Sequence, residues 1–215
     1  DTLAELLAGL GELDKKGEDA TPVLRELSAL LLQAKPEELA AKRADLEKIS
    51  ADSQLGLTRQ IGRAALVAAD GSAESEWKKA EADSQALADL LLAVPMIRDP
   101  KLRGDLYPRI EPLLGKSDQP DVQKAAITAI AALPGRETDA FKKLSGLVRS
   151  GTERAAALAS LARFPKKAWP KEEAAALVEH VVKYLQSVPV ADRTQEDFIN
   201  AMQFAADLAS LLPVE

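Results

Sequence analysis

A short segment of this chain occurs twice, and that repetition limits the folds open to it more than any other feature. Shifting residues 106–134 by 31 positions lays them on 137–165 without a gap. Leu113 then meets Leu144, Gly115 meets Gly146, Ala125-Ala126 meets Ala156-Ala157, and Pro134 meets Pro165. Ile110 aligns with Phe141, Ile127 with Leu158, Ile130 with Leu161 and Leu133 with Phe164. A unit this short cannot bury its own apolar stripe, so neighbouring units must stack to make a core.

The unit is helical. Val122, Ala126, Ala129 and Leu133 fall at i, i+4, i+7 and i+11, one stripe of a 3.6-residue helix. Leu177, Val181, Leu185 and Val188 predict a second stripe; Phe198, Met202, Ala205 and Leu212 predict a third. About a third of the chain is Ala or Leu, which lose little side-chain freedom in a helix. Aromatic residues are 4% of the total, and no segment alternates with period two. The chain therefore reads as all-α.

Punctuation by Pro, Gly and capping residues predicts about eleven helices. They begin near Thr2, Thr21, Pro36, 53, 74 and Pro100, then run near 120–133, 137–149, 152–163, 171–188 and 195–212. Thr21 is expected to cap the second helix with Pro22 at its first position, and Thr194 with Asp197 reads as a capping box. Helices repeatedly end on an apolar residue followed by proline: Val94-Pro95, Leu133-Pro134, Phe164-Pro165, Val188-Pro189, Leu212-Pro213. Segment 74–93 reads as one helix, and Pro108 and Pro112 are expected to kink or split the one that starts at Pro100.

Several motifs invite a chemical reading that their surroundings oppose. His180, the single histidine, has no second histidine at HExxH spacing and no carboxylate at i±3 or i±4. Gly115-Lys116-Ser117 ends like a phosphate-binding loop, but Ile110 occupies the position of the required first glycine. Arg103-Gly104-Asp105 sits inside a helical pattern rather than on a loop tip. Glu37/Glu38 and Glu172/Glu173 each follow a proline at a helix start, where acids favour the helix dipole. Trp169, before Pro170, is expected to anchor a helix start on an earlier helix. With no cysteine, the chain has no disulfide, thiolate metal site or haem-attachment motif, and it is expected to hold no cofactor.

Charge is nearly balanced overall, with a net of −6, but unevenly spread. Residues 1–90 carry 18 acids against 11 bases, and 172–215 carry 8 against 2. Between them a basic belt over 136–171 has 9 bases against 3 acids: Arg136, Lys142, Lys143, Arg149, Arg154, Arg163, Lys166, Lys167 and Lys171. Stacked repeats can align such residues into a ridge that attracts an acidic partner; the bland alternative is a solvated face. An acidic chain is not expected to bind nucleic acid in general. No apolar run approaches the roughly 20 residues of a membrane helix.

Leu106–Leu133 has the form of a HEAT unit: a proline-bearing first helix, a turn with Asp118 and Asp121, then an Ala-rich second helix. The expected fold is thus a HEAT-like α-α superhelix, a right-handed solenoid of antiparallel helix pairs. One domain would span 1–215, less regular over 1–95 and clearer over 96–215. A compact helical bundle is the rival. The wording Gln60-Ile61-Gly62-Arg63-Ala64-Ala65-Leu66, Phe164-Pro165, Trp169-Pro170, Val188-Pro189-Val190-Ala191-Asp192-Arg193-Thr194 and Ala201-Met202-Gln203 resembles a known family. That family is the HEAT-like helical-repeat region of large exported planctomycete-type multidomain proteins. These combine a dehydrogenase-like propeller, helical repeats, a cupredoxin-like copper module and a CxxCH cytochrome c module.

The resemblance covers about 55–215 and carries no catalytic motif. It implies a periplasmic or otherwise exported parent protein that is redox-active, with haem and copper ligands in other modules. This chain would be an excised, non-catalytic scaffold or interaction domain, and its partners the other modules of the same polypeptide or another protein. A stand-alone helical-repeat nucleic-acid binder, similar to HEAT-like DNA glycosylases and using the 136–171 belt, is the alternative. An enzyme working through carboxylates alone would need two convergent acids in a deep pocket.

Overall fold

A computed structural model describes residues 2–212, the Glu18 side chain excepted. The described chain is all helical: fourteen α-helices and five short 3₁₀ turns, without a strand among the described residues. Eleven helices were expected, and the three extra ones arise from local breaks. The expected helix from Pro36 divides into α3 and α4 at Lys42, whose φ/ψ of −108°/19° leaves the helical region. The expected 74–93 helix divides before Asp83, which turns extended and accepts the Ala86 N–H at 2.7 Å as an N-cap. Pro108 and Pro112, lacking N–H groups, leave the Pro100 segment as α8, α9 and a 3₁₀ turn over 111–115.

Two expected caps are not formed. The residue before α2 is Ala20, and Thr21 is already helical. The last helix starts at Glu196 after Gln195, with no side-chain cap bond, so Thr194 and Asp197 make no capping box. Pro213 lies outside the described residues.

The described chain forms two compact units, 1–134 and 135–215, across the span expected as one domain. The first holds α1 (Thr2–Lys16), α2 (Thr21–Leu31), α3 (Pro36–Ala41), α4 (Arg43–Asp52), α5 (Gly56–Asp70), α6 (Glu74–Ala80), α7 (Ser84–Ala93), α8 (Pro100–Gly104), α9 (Tyr107–Ile110) and α10 (Pro120–Ile130). Packing runs between sequence neighbours, α1 with α2, α4 with α5 and α6 with α7. It also runs along a layer in which α2 meets α5, α5 meets α7 and α7 meets α10. Leu10, Leu24, Leu31, Leu39, Leu46 and Ile61 form a fully buried leucine-rich core at its amino end. Helices α4 and α5 touch at Gly62, where a Cβ would stand 2.8 Å from the Ser50 nitrogen.

The second unit holds α11 (Glu137–Ser150), α12 (Arg154–Leu161), α13 (Lys171–Ser187) and α14 (Glu196–Ala209). Here α11 packs on α12 and α13, while α14 packs on α13 and α12. Its core is a row of aromatic rings: Phe141 to Phe164 at 6.1 Å, Phe141 to Trp169 at 5.8 Å and Trp169 to Phe204 at 5.0 Å.

Burial follows the 31-residue repeat. Ile110 and Phe141, Ala126 and Ala157, Ile127 and Leu158, Ile130 and Leu161, Leu133 and Phe164 are buried in both copies. Among the expected stripes, Val122, Ala126, Ala129 and Leu133 are buried together. The last stripe holds only in part: Ala205 is buried as expected, but Met202 is exposed, and α14 buries Ala201, Phe204 and Leu208 beside Ala205.

Candidate functional site

The basic belt lies within the second unit, and the structure divides it into pinned and unpinned members. On α11 the buried stripe Ala140, Phe141, Leu144, Ser145 and Val148 turns Lys142, Lys143 and Arg149 outward. Arg149 does not stay free: its Nη1 meets Glu173 Oε2 of α13 at 2.7 Å. Arg154 donates its Nε–H to the Val148 carbonyl at 3.1 Å and lays its guanidinium 5.0 Å from the Tyr184 ring centre. Lys166 Nζ bonds Asp207 Oδ1 of α14 at 2.8 Å. That ammonium holds the Asp207 carboxyl below its ordinary range. Arg136 has Asp139 at 3.9 Å, both exposed, and Lys143 is also engaged.

Lys142, Arg163, Lys167 and Lys171 remain exposed, without an ion pair among the described residues. Arg163 and Lys167 stand, with Lys166, on the connection between α12 and α13, and Lys171 opens α13. Trp169 fixes that connection from beneath. Its ring is buried against Phe141 and Phe204, and its indole N–H donates to the Phe164 carbonyl at 2.9 Å. The local result is four bases within nine residues over a rigid aromatic anchor, an arrangement suited to carboxylates or phosphates.

The other motifs have structural employment. His180 is half-buried, and its Nδ1–H donates to the Ala176 carbonyl one turn back, at 2.8 Å. Arg103 spends its guanidinium on the Ile97, Arg98 and Ala132 carbonyls. Glu38 accepts the Lys35 N–H at 2.9 Å at the start of α3. Gly115-Lys116-Ser117 follows a 3₁₀ turn, with no strand before it. No protein-family model, curated protein or solved structure matches this chain.

Sequence reading missed a seam of buried charge in the first unit. Arg59 Nε meets Asp89 Oδ2 at 2.6 Å, the Asp89 side chain being 2% exposed. Arg63 Nη1 meets Glu76 Oε2 at 3.3 Å, at 9% and 1% exposure. Lys79 joins Glu76 at 3.1 Å and Glu47 at 3.0 Å; Arg43 pairs with Asp70. Asp14 accepts the Gln54 and Leu55 N–H groups at 2.8 and 2.9 Å, tying α1 to the start of α5. The signal was present as charges inside apolar runs: Arg59 and Arg63 one turn apart on α5, and Asp89 between Ala88 and Leu90.

A shallow polar cleft of about 320 Å³ opens beside this seam, lined by Ser50, Ser53, Arg59, Arg63, Asp83 and Asp89. Its two acids are already engaged, Asp83 by the Ala86 N–H and Asp89 by Arg59. Larger grooves, of about 530 and 480 Å³, run along α1; the first is lined by Leu3, Leu6, Leu30, Ala34 and Ala41 among polar side chains, and the second mostly by polar and charged ones. Among the described residues no three His, Cys, Asp or Glu side chains gather as metal ligands, and no helix is long and apolar enough to cross a membrane.

Proposed function

We propose that this chain is a HEAT-like scaffold domain of a larger exported redox protein, without catalysis of its own. It presents the α12–α13 connection to an acidic surface on another module or another protein. The observation that carries the reading is the set of exposed bases at Lys142, Arg163, Lys167 and Lys171, two of them on the connection anchored by Trp169 and a third at the start of α13. The superhelical arrangement is supported by the packing inside each unit, where a helix meets its neighbour in sequence and the next helix in its layer. The redox parent rests on the resemblance of 55–215 to the HEAT-like region of exported multidomain proteins.

The decisive experiment titrates the chain with a fluorescent poly-glutamate peptide and, separately, with a labelled DNA duplex. Binding of the peptide at low salt, lost about tenfold or more when Lys142, Arg163, Lys167 and Lys171 are all changed to Ala, supports the acidic-partner reading. Salt should weaken it, since the contacts are exposed ion pairs. Duplex binding with a steep salt slope would favour the nucleic-acid alternative instead. Binding of neither ligand at low salt sinks the assignment of this surface.

A further inference from the structure

Arg63 carries a donor edge that the described chain does not use. Its side chain is 9% exposed, and its Nη1 turns inward to Glu76 Oε2 at 3.3 Å. The other edge of the guanidinium, Nε–H beside Nη2, has no hydrogen-bond partner among the described residues. That is an edge with which arginine grips a carboxylate through two parallel bonds. A buried donor is costly to leave unmade, so the position calls for an acceptor that the fold does not itself supply.

The polar cleft beside the charged seam gives access to that edge. Arg63 lines it between Ser50 and Ser53, at the end of α4, and Asp83 and Gln85, at the start of α7. Nε is shut off from solvent and Nη2 is not, so the edge is reached from its Nη2 end. The deeper charges are already matched. Arg59 holds Asp89 at 2.6 Å, and Glu76 lies between Arg63 and Lys79. One acid oxygen is left over. Asp83 is exposed, and the Ala86 N–H takes its Oδ1 at 2.7 Å, which leaves Oδ2 at the mouth. A volume of about 320 Å³ is at the lower end for small-ligand sites.

We infer that this cleft binds a small zwitterion, a free amino acid, with its carboxylate on Arg63 and its ammonium on Asp83. Each end of such a ligand answers a group that the fold leaves unpaired. A simple anion meets the Asp83 charge at the entrance, and a simple cation leaves the Arg63 edge unmade and is repelled by it. A molecule bearing both charges avoids either cost. Ser53 and Gln85, also on the cleft wall, offer a hydroxyl and an amide to the rest of the ligand.

Isothermal titration calorimetry on the full chain tests this. The ligands are glycine, β-alanine and γ-aminobutyrate, which differ in the distance between their charged ends, with acetate and methylammonium as one-ended controls. At least one zwitterion should bind saturably and at least tenfold more tightly than either control. Asp83→Asn keeps a capping oxygen for Ala86 and removes the charge, so it should bring that zwitterion down to the level of acetate. Arg63→Lys keeps a cation for Glu76 but loses the two-pronged edge, and should weaken the zwitterion at least tenfold with the helical circular dichroism unchanged. Should Arg63→Lys fail to fold, Asp83→Asn decides alone. No zwitterion binding at about 10 mM overturns the inference. So does acetate binding as tightly as the zwitterions, or binding indifferent to Asp83→Asn. None of these outcomes depends on the bases at 142–171, so they leave the acidic-partner reading to its own test.

Discussion

Gly62 and Arg63, adjacent on α5, are held in place for opposite reasons. Gly62 is required by what it lacks. A Cβ there would stand 2.8 Å from the Ser50 nitrogen and 3.1 Å from both Ile49 Cγ2 and the Leu46 carbonyl oxygen. Two of those three obstacles are backbone, which cannot rotate away. Gly62→Ala should therefore force α4 off α5 and cost about 1–3 kcal/mol in urea unfolding, despite alanine's better helix propensity. An unchanged midpoint would show that the two helices are not this close. Arg63 is required by what it neutralises. Its guanidinium faces Glu76 in the interior, and its buried Nε–H has no acceptor, so the pair is imperfectly satisfied. Arg63→Met leaves Glu76 leaning on Lys79 alone and should cost about 3 kcal/mol. Adding Glu76→Leu should recover most of that loss, because a buried ion pair is replaceable by apolar packing. If the double variant were no better than the single one, the pair would be a net stabiliser. A lone glycine in a helical pattern gave a faint hint of the first position. The second was visible as arginine in an apolar run, though nothing in the sequence told which acid would meet it.

Helices α4 and α6 are joined through Glu47 and Lys79, and this link titrates. The Lys79 ammonium, hydrogen-bonded to Glu47, holds that carboxyl below its ordinary value. Partial burial pushes the Lys79 ammonium down, but its bonds to Glu47 and Glu76 outweigh this and leave it raised. A depressed carboxyl contributes stability that is present above its ordinary pKa and lost as pH falls through the depressed one. A raised ammonium contributes stability that is present below its ordinary pKa and lost as pH rises through the raised one. Glu47→Gln should therefore lower the thermal midpoint near neutrality and make progressively less difference at acidic pH, as the folded carboxyl too becomes protonated. Both groups are largely exposed, so about 1 M salt should shrink the gap. An equal gap at neutral and acidic pH would rule the ion pair out as its source. At this scale the sequence was legible where prolines, glycines and apolar periods dictate an element. Gly71 and Gly151 close α5 and α11 with positive φ. It was illegible where a side chain from elsewhere closes a turn. Arg59, Arg103, Arg154 and Arg193 each reach back five or six residues to a carbonyl before their own segment. The pairing inside the basic belt is illegible in the sequence because the partners of Arg149, Arg154 and Lys166, which are Glu173, Tyr184 and Asp207, lie 24 to 41 residues away.

Each of the two units has a core of distinct chemistry. Leucines fill the amino-terminal part of the first, and the second closes on Phe141, Phe164, Trp169 and Phe204. The internal repeat was legible as burial at matching positions, but its two copies fall on either side of the boundary near residue 134. Similarity between repeats therefore did not reveal where one core ends and the next begins. Removing a ring from the aromatic row tests that boundary. Phe204 is 2% exposed and touches Trp169 at 5.0 Å, so Phe204→Ala removes a large side chain from a site that cannot easily collapse. A loss of about 3–5 kcal/mol is expected. Hydrogen exchange read peptide by peptide should show faster opening across α11 to α14, while the amides of α1 to α7 keep their protection, because a lost contact weakens first the cooperative unit that contains it. Uniform acceleration from α1 to α14 would mean that both cores open as one and that the division near residue 134 has no energetic meaning.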